Sequence, residues 1–226
     1  GNMVAESKYS NFKFGDAGKV DIDSYNDKYA FGNTGDIKFT NKYSDLKAMN
    51  SGYVELDSYN STVSITSVED IDMNSKYGKY EVGAAGKLII TSSYNDSYKI
   101  AKLDALTITQ SKYSVYKIDH LESSFTLKDG YSDKFYVADT GDLKGVKLSG
   151  KYILLEMALD KSLSYSFNAD VKFPKFEINE EAMNVQIKIK EGSDLKMEAV
   201  KGLKSEGMPA FFVNGYEMAV TLTEKL

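Results

Sequence analysis

The sequence has no cysteine, no arginine and no tryptophan, and its 226 residues include one histidine and two prolines. Without cysteine there is no disulfide, no thiolate metal site and no thiol nucleophile. All 28 basic residues are lysine, so the guanidinium fork that binds phosphate and guanine bidentately is missing. One histidine excludes a histidine-rich metal centre and argues against a Ser-His-Asp triad.

Charge and hydropathy argue against two further classes of protein. A net charge of −5 gives no electrostatic footprint for nucleic acid. No run of 18 apolar residues is present, so we predict no transmembrane helix. The chain opens on Gly1 rather than methionine. We therefore expect that a leader segment is missing from this chain, and the absence of cysteine is compatible with export.

Tyrosine is what the sequence has in abundance, and it recurs with a regular period. Eight tyrosines, each preceded by Ser, Gly or Lys, recur at spacings of 16 to 21 residues. They are Tyr25, Tyr43, Tyr59, Tyr77, Tyr94, Tyr113, Tyr131 and Tyr152. A period this constant over eight units indicates a repeat architecture.

Each repeat is typical of two short strands joined by polar corners. An alternating apolar pair precedes each tyrosine, as in Val54 and Leu56, and a second follows it, as in Tyr80 and Val82. Alternation with a period of two is the pattern of a half-buried strand. Two arrangements use such a unit, a parallel β-solenoid or antiparallel hairpins closing into a sandwich or barrel. We favour an all-β parallel solenoid of about eight coils of ~18 residues, because stacking demands identical residue types in identical columns.

The tyrosines fall into two classes that alternate strictly along the chain. The following apolar pair lies at +4 and +6 after one class and at +3 and +5 after the other. Either odd and even coils have different corners, or two units form one coil of about 35 residues. A coil made of two units would have a perimeter over about 110 Å, and side chains would fill its interior poorly. We therefore predict one unit per coil.

The ends of the chain depart from this repeat. Residues 1–19 are predicted to form an N-terminal cap, with a short strand over 11–14, and residues 20–160 the repeat solenoid. Residues 161–226 are predicted to form longer, partly antiparallel strands that close it, with a capping hairpin around Asn214-Gly215. No linker composition divides these parts, so we predict a single domain.

The tyrosine corners resemble those of a bacterial family of adhesin-like repeat domains. The matching stretches include Ser24-Tyr25-Asn26-Asp27, Ser93-Tyr94-Asn95-Asp96 and Gly130-Tyr131-Ser132-Asp133, within residues 18 to 160. The chain departs from the family pattern in having Asn or Ser where the family has a corner glycine, except at Gly78. The resemblance implies an exported β-helix at the cell surface or in the periplasm, and it brings no catalytic or ligand residues with it.

The ligand-binding candidates are the tyrosines of the longer-spaced class, Tyr25, Tyr59, Tyr94 and Tyr131. Exposed and stacked, they could contact sugar rings or a protein; in a structural role they would only stack on one another. The spacing of Ile90, Ser92 and Tyr94 would point the ring inward if the strand stays straight. The structural role is the more economical reading.

Other chemistry-bearing residues have simpler interpretations as surface residues. Acidic pairs occur at Asp21 and Asp23, Asp70 and Asp72, and Asp139 and Asp142, without a common column. His120 is predicted to lie in a surface turn after Ile118, and the lysines before alternate tyrosines to protect the sheet from aggregation. A strip for an anionic glycan or lipid headgroup is the alternative for those lysines. We predict no metal, no cofactor and no catalytic residue.

From this pattern we expect a non-catalytic, adhesin-like β-helix whose repetitive surface binds a glycan or protein partner at the cell envelope. The alternatives are a carbohydrate-active β-helix enzyme and a structural scaffold of the cell envelope. The lack of arginine, the single histidine and the absence of a carboxylate cluster weigh against the enzyme.

Overall fold

The computed structural model describes residues 1–225. These residues form a parallel β-solenoid built almost wholly of strands. One 3₁₀ turn, Glu180–Ala182, is the only helical element among these residues, and none of their helices could cross a membrane. The strands, in chain order, are β1 Met3–Lys8, β2 Asn11–Lys13, β3 Val20–Tyr25, β4 Lys28–Ala30, β5 Ile37–Lys42, β6 Asp45–Tyr59, β7 Thr62–Lys76, β8 Lys79–Tyr94, β9 Ser97–Lys112, β10 Val115–Tyr131, β11 Lys134–Val137, β12 Gly145–Lys151, β13 Leu154–Asp160, β14 Tyr165–Lys172, β15 Lys175–Glu177, β16 Met183–Glu191, β17 Asp194–Lys201, β18 Ala210–Tyr216 and β19 Ala219–Lys225.

Consecutive repeats pair as parallel strands, so each repeat is one coil. Aligned residues lie between 17 positions apart, from Lys8 to Tyr25, and 21 positions apart, from Phe125 to Val146. Nine coils follow one another in this way up to β12 and β13. The prediction of a parallel solenoid with one unit per coil is confirmed, and the antiparallel hairpin alternative is excluded.

The core is a set of columns that run the length of the rod. Apolar residues alternate with exposed ones along every coil, and the inward members are almost wholly buried. Four rings stack face to face in one column, Tyr80, Tyr98, Tyr116 and Phe135, with centroids 4.5 to 5.0 Å apart. Stacked columns explain the repeat, because a residue that fits one coil must also fit its neighbours above and below.

Residues 1–19 form a first coil at one end of the rod. The predicted short strand is present as β2, while β1 occupies residues for which the sequence shows no clear pattern. β1 pairs in parallel with β3, and β2 with β4. Phe12 and Phe14 continue the inner aromatic columns by stacking on Tyr29 and Phe31, at 5.0 and 5.2 Å.

The C-terminal strands close the other end by an insertion. β18 pairs in parallel with both β12 and β14, and β19 with both β13 and β15. The last two strands of the chain therefore lie between coils that precede them in sequence. Beyond β14 the pairing is antiparallel, first with β17 and then from β17 to β16. The predicted partly antiparallel pairing is confirmed. The strands are not longer than those of the repeats, because β14, β16 and β17 have eight or nine residues whereas β6 to β10 run through their corners and have 15 to 17.

The hairpin predicted at Asn214-Gly215 is wrong. Both residues lie within β18, which pairs only with parallel partners. Gly215 has a φ of +148°, and a Cβ there would lie 2.0 Å from the Gly150 carbonyl oxygen of the coil below. This glycine serves the close approach of two stacked corners. The hairpin that caps the rod is instead β16–β17, which turns at Gly192 with a φ of +60°.

Candidate functional site: an exposed tyrosine ladder

The repeating tyrosines form one continuous ladder of rings along an edge of the rod. Neighbouring rings meet edge to face, with centroids 5.3 to 5.8 Å apart and interplanar angles of 72° to 82°. This perpendicular arrangement is the one that the ring quadrupole favours. The ladder comprises, in spatial order, Tyr9, Tyr25, Tyr43, Tyr59, Tyr77, Tyr94, Tyr113, Tyr131, Tyr152, Tyr216 and Phe173.

The two tyrosine classes occupy two adjacent columns of the same corner. Tyr25 aligns with Lys42, and the next tyrosine, Tyr43, lies one residue further along the corner. That second position has a left-handed φ in every coil, whether Tyr43 at +57° or Asn60 at +50° occupies it. The corners are therefore alike in backbone geometry. The alternating spacing arises because the ring steps between two columns.

Placing tyrosine in the left-handed position is costly, since a side chain with a Cβ there loses about 1–2 kcal/mol. Asparagine tolerates this conformation better and stands there at Asn26, Asn60 and Asn95. Alternate coils nevertheless use an aromatic residue. The edge-to-face contacts on both sides of each ring, worth about 0.5–1.5 kcal/mol apiece, offset that cost.

The ladder rings face solvent. Eight of them are between 36% and 47% exposed, and Tyr9, at the end of the rod, is 72% exposed. Tyr94 was expected to point inward, and this is wrong. A bulge after Ile90 changes the alternation, so that Ser93 is buried and Tyr94 is only partly buried at the edge.

The ring environment shifts the phenol pKa values upward. Desolvation and the neighbouring phenols raise the pKa of Tyr43, Tyr77 and Tyr113 above the ordinary tyrosine value. Deprotonating one ring would place a charge between two others. These three rings are therefore uncharged phenols at neutral pH.

Beneath the ladder lies a buried polar network that holds the corners in register. The Asp27 carboxylate accepts hydrogen bonds from Ser7 Oγ at 2.7 Å, Ser24 Oγ at 2.9 Å, the Ser10 amide at 2.7 Å and the Tyr25 amide at 3.2 Å. Two of these donors belong to the preceding coil. One carboxylate thus ties two corners together, and although burial opposes it, these hydrogen bonds lower the pKa of Asp27.

Asp96 and Asp133 repeat this arrangement in later coils. Asp96 accepts from Ser75 Oγ, Ser93 Oγ and the Gly78 and Tyr94 amides. Burial outweighs these bonds and raises its pKa. Asp133 has the Ser111 hydroxyl and the Ser114 and Tyr131 amides, but Gly130 stands where its own coil would supply a serine. Burial raises the pKa of Asp133 to about 6.

The sequence offers no direct signal that these three aspartates are buried. They stand in turn-forming stretches such as Tyr94-Asn95-Asp96, which are ordinarily solvated. Their recurrence two residues after a tyrosine was visible. Only the inward direction of that position, set by the left-handed residue before it, turns an exposed turn residue into a buried acceptor.

The acidic pairs do not assemble into a site. Within residues 1–225, no three His, Asp or Glu side chains are placed so that they could hold a metal ion. A surface depression of about 480 Å³ near the N-terminus includes Asp36 and Glu55. Both carboxylates are engaged by lysines, Lys19 at 3.4 Å and Lys38 at 3.6 Å. These are ordinary exposed ion pairs.

His120 lies within β10 rather than in a turn, and it joins a charged cluster. Its Nδ1 is 2.8 Å from Asp139 Oδ2 and its Nε2 is 3.0 Å from Glu122 Oε2. Lys225 contacts the other Asp139 oxygen at 2.7 Å. Hydrogen bonds to Glu122 and Asp139 raise the pKa of His120. Both ring nitrogens are engaged, so neither is free to take a proton from a substrate.

Comparison with known proteins adds no assignment. No protein-family model, no curated protein and no solved structure matches this chain.

Proposed function

We propose that this protein is a non-catalytic binding protein that presents the tyrosine ladder to an extended partner lying along the rod. The observation that supports the proposal is the continuity of the ladder, whose rings contact one another from Tyr9 to Phe173 and remain exposed. Tyrosine suits such a surface because it adds large contact area and a polar hydroxyl at a small cost in conformational entropy.

The backbone of the corner supports a role beyond packing. Six aromatic residues occupy the left-handed position, at Tyr9, Tyr43, Tyr77, Tyr113, Tyr152 and Phe173. Strained conformations of this kind concentrate at sites of function. Export to the cell surface or periplasm, in the manner of adhesin-like repeat proteins, is part of this proposal.

The ladder can be tested with a variant that keeps the corner intact. Tyr43, Tyr77 and Tyr113 are changed together to Asn, the residue that alternate coils already carry at this position. The wild type should bind members of a glycan array at micromolar concentration, and the triple variant should lose at least about tenfold in signal, roughly 1.4 kcal/mol.

The control removes two exposed aromatic residues that lie off the ladder, in a Tyr53→Asn/Phe212→Asn variant. Thermal unfolding of both variants checks that the rod is intact. An array on which the ladder variant and the control bind equally would contradict the proposal. Release of oligosaccharides from any polymer on the array would contradict the non-catalytic assignment.

A further inference from the structure

A row of lysines alternates with the tyrosines in one of the two ladder columns. Each of the four inner lysines is aligned with a tyrosine in the coils on both sides of it, and each of the two end lysines with a tyrosine on one side. The lysines are Lys8, Lys42, Lys76, Lys112, Lys151 and Lys172, and all are exposed. Because adjacent coils lie about 4.8 Å apart, successive charges are separated by roughly 9.6 Å.

A second set of lysines lies three residues further along the corner. Lys28, Lys79, Lys134 and Lys175 share one outward column, and all four are exposed. We call the two lysine columns together with the ladder the lysine–tyrosine strip. None of its ten lysines forms an ion pair within residues 1–225.

The strip has a charge opposite to that of the whole chain. Its outward columns hold ten lysines against two carboxylates in the coils, Asp45 and Glu217, and a third, Asp194, opposite Lys172 at the end, whereas the chain as a whole carries −5. The outward column on the other side of the ladder carries carboxylates instead, at Glu6, Asp23, Asp57 and Asp170. A polyanion would be repelled by that column and attracted to the strip.

We propose that the lysine–tyrosine strip binds a linear acidic polysaccharide. The carboxylates of the polysaccharide contact the lysines, and the apolar faces of its sugar rings pack on the tyrosines. This assignment rests on the proposed function, since it names the partner class of the same surface. An acidic polysaccharide alternates charge with apolar ring faces along its length, as the strip alternates lysine with tyrosine. Unpaired lysines bind such charges without first breaking an ion pair of their own.

Spacing and chemistry favour this polymer over a nucleic acid. Phosphates follow one another at about 3.4 Å along a nucleic acid strand, much closer than the roughly 9.6 Å between lysines of the ladder column. The strip has no guanidinium to bind phosphate bidentately.

The test compares two triple variants of equal charge. Lys42, Lys76 and Lys112 are changed to Gln in the strip variant. The control changes Lys87, Lys102 and Lys144 to Gln as well. These lysines are exposed, lie outside the strip and form no ion pair within residues 1–225. The probes are hyaluronate, in which every second sugar carries a carboxylate, and the same polymer with its carboxylates methyl-esterified, which removes the charge and retains the sugar chain.

The wild type should bind hyaluronate at least about tenfold more tightly than the ester, with affinity falling as salt rises. The strip variant should lose about tenfold, and the control less than about twofold. If the wild type binds the polymer and its ester equally, and the ladder variant (Tyr43, Tyr77 and Tyr113 changed to Asn) binds neither, this inference is overturned and the proposed function stands. Tighter binding of polyadenylate, or of vesicles containing phosphatidylserine, would overturn the polysaccharide assignment. Absence of binding to every probe would overturn both.

Discussion

Neighbouring residues of one corner have different roles in this protein, because their side chains point in different directions. Tyr131 and Lys134 face solvent, while Asp133 between them is fully buried. The left-handed residue at each corner produces this reversal. The exposed rings and the buried carboxylates are therefore linked through the backbone. A carboxylate that accepts hydrogen bonds from the backbone amides of two coils also fixes the spacing of the rings above it.

Asp133 should make stability depend on pH in an unusual direction. Its carboxyl has a pKa of about 6 in the fold, against 3.8 when unfolded. Between these values the folded state binds the extra proton, so stability falls as pH rises. The loss should approach about 3 kcal/mol by pH ~7. Urea unfolding of wild type and Asp133→Asn between pH 4 and pH 7 measures it.

The aspartate-to-asparagine change removes the titrating group while retaining its shape. The variant should lose part of the decline in stability that the wild type shows across this pH range, whatever its absolute stability. Parallel pH profiles for the two proteins would mean that Asp133 does not remain protonated in the fold. His120 is common to both chains and does not contribute to the difference.

The edge strand at the C-terminal end of the sheet, β16, carries lysines that protect it against association. β16 ends the sheet at the C-terminal side, and its Lys188 and Lys190 stand directly opposite the buried Met197 and Leu195 of β17. Residues opposite each other in an antiparallel pair share one face. Two lysines therefore stand over the core-facing side of the edge strand, which is a common defence against association.

Removing that charge should expose an adhesive edge. A Lys188→Ile/Lys190→Val variant places apolar side chains on the core-facing side of β16, and we expect concentration-dependent association in light scattering. A matched variant changes Lys196 and Lys204, which are exposed lysines outside β16, to the same residues. If both variants remain monodisperse to the same concentration, the lysines of β16 do not protect the edge.

At the scale of the whole molecule the solenoid is nearly one-dimensional, and the C-terminal insertion is the exception. β14 reaches the rod only through β18, and β15 only through β19. The segment from β14 to β17 is thus attached to the nine preceding coils by the last two strands of the chain. In repeat proteins, stability depends on contacts between neighbouring units.

A chain ending at residue 205 should therefore lose its C-terminal cap as a unit. Without β18 and β19, the strands β14 to β17 have no paired neighbour on the rod, and we expect their amide protection in hydrogen exchange to disappear. β6 to β9, paired on both sides by other coils, should retain theirs. Protection of β14 to β17 in the truncated chain would show that they hold to the rod by other contacts.

The coils were predictable from the sequence because stacking repeats the same requirement in every unit. The tyrosine period and the apolar pairs, such as Val54 and Leu56, predicted a parallel solenoid with one unit per coil. The candidate site was predictable only in its members. Tyr25, Tyr59, Tyr94 and Tyr131 lie in one column at the surface, with Tyr94 only partly exposed, and the direction of Tyr94 depends on a bulge that the sequence does not reveal.

What escaped prediction involves partners distant along the chain. Asn214-Gly215 has the composition of a tight turn, yet it lies in a strand because Gly150 of an earlier coil passes within contact distance. β1 has no clear pattern of its own and is ordered by pairing with β3. Local sequence patterns report local preferences, and both outcomes were decided by a neighbour in space.

The sequence by itself determined the repeat, its period and the alternation of inward and outward residues, because these follow from the side-chain parity of a strand. The tertiary structure alone decided which coils the last strands join, that Asp27, Asp96 and Asp133 are buried, and that lysines and rings align in one column. All three of these features follow from the register between coils. Register is a property of two stacked strands together and cannot be read from either strand alone.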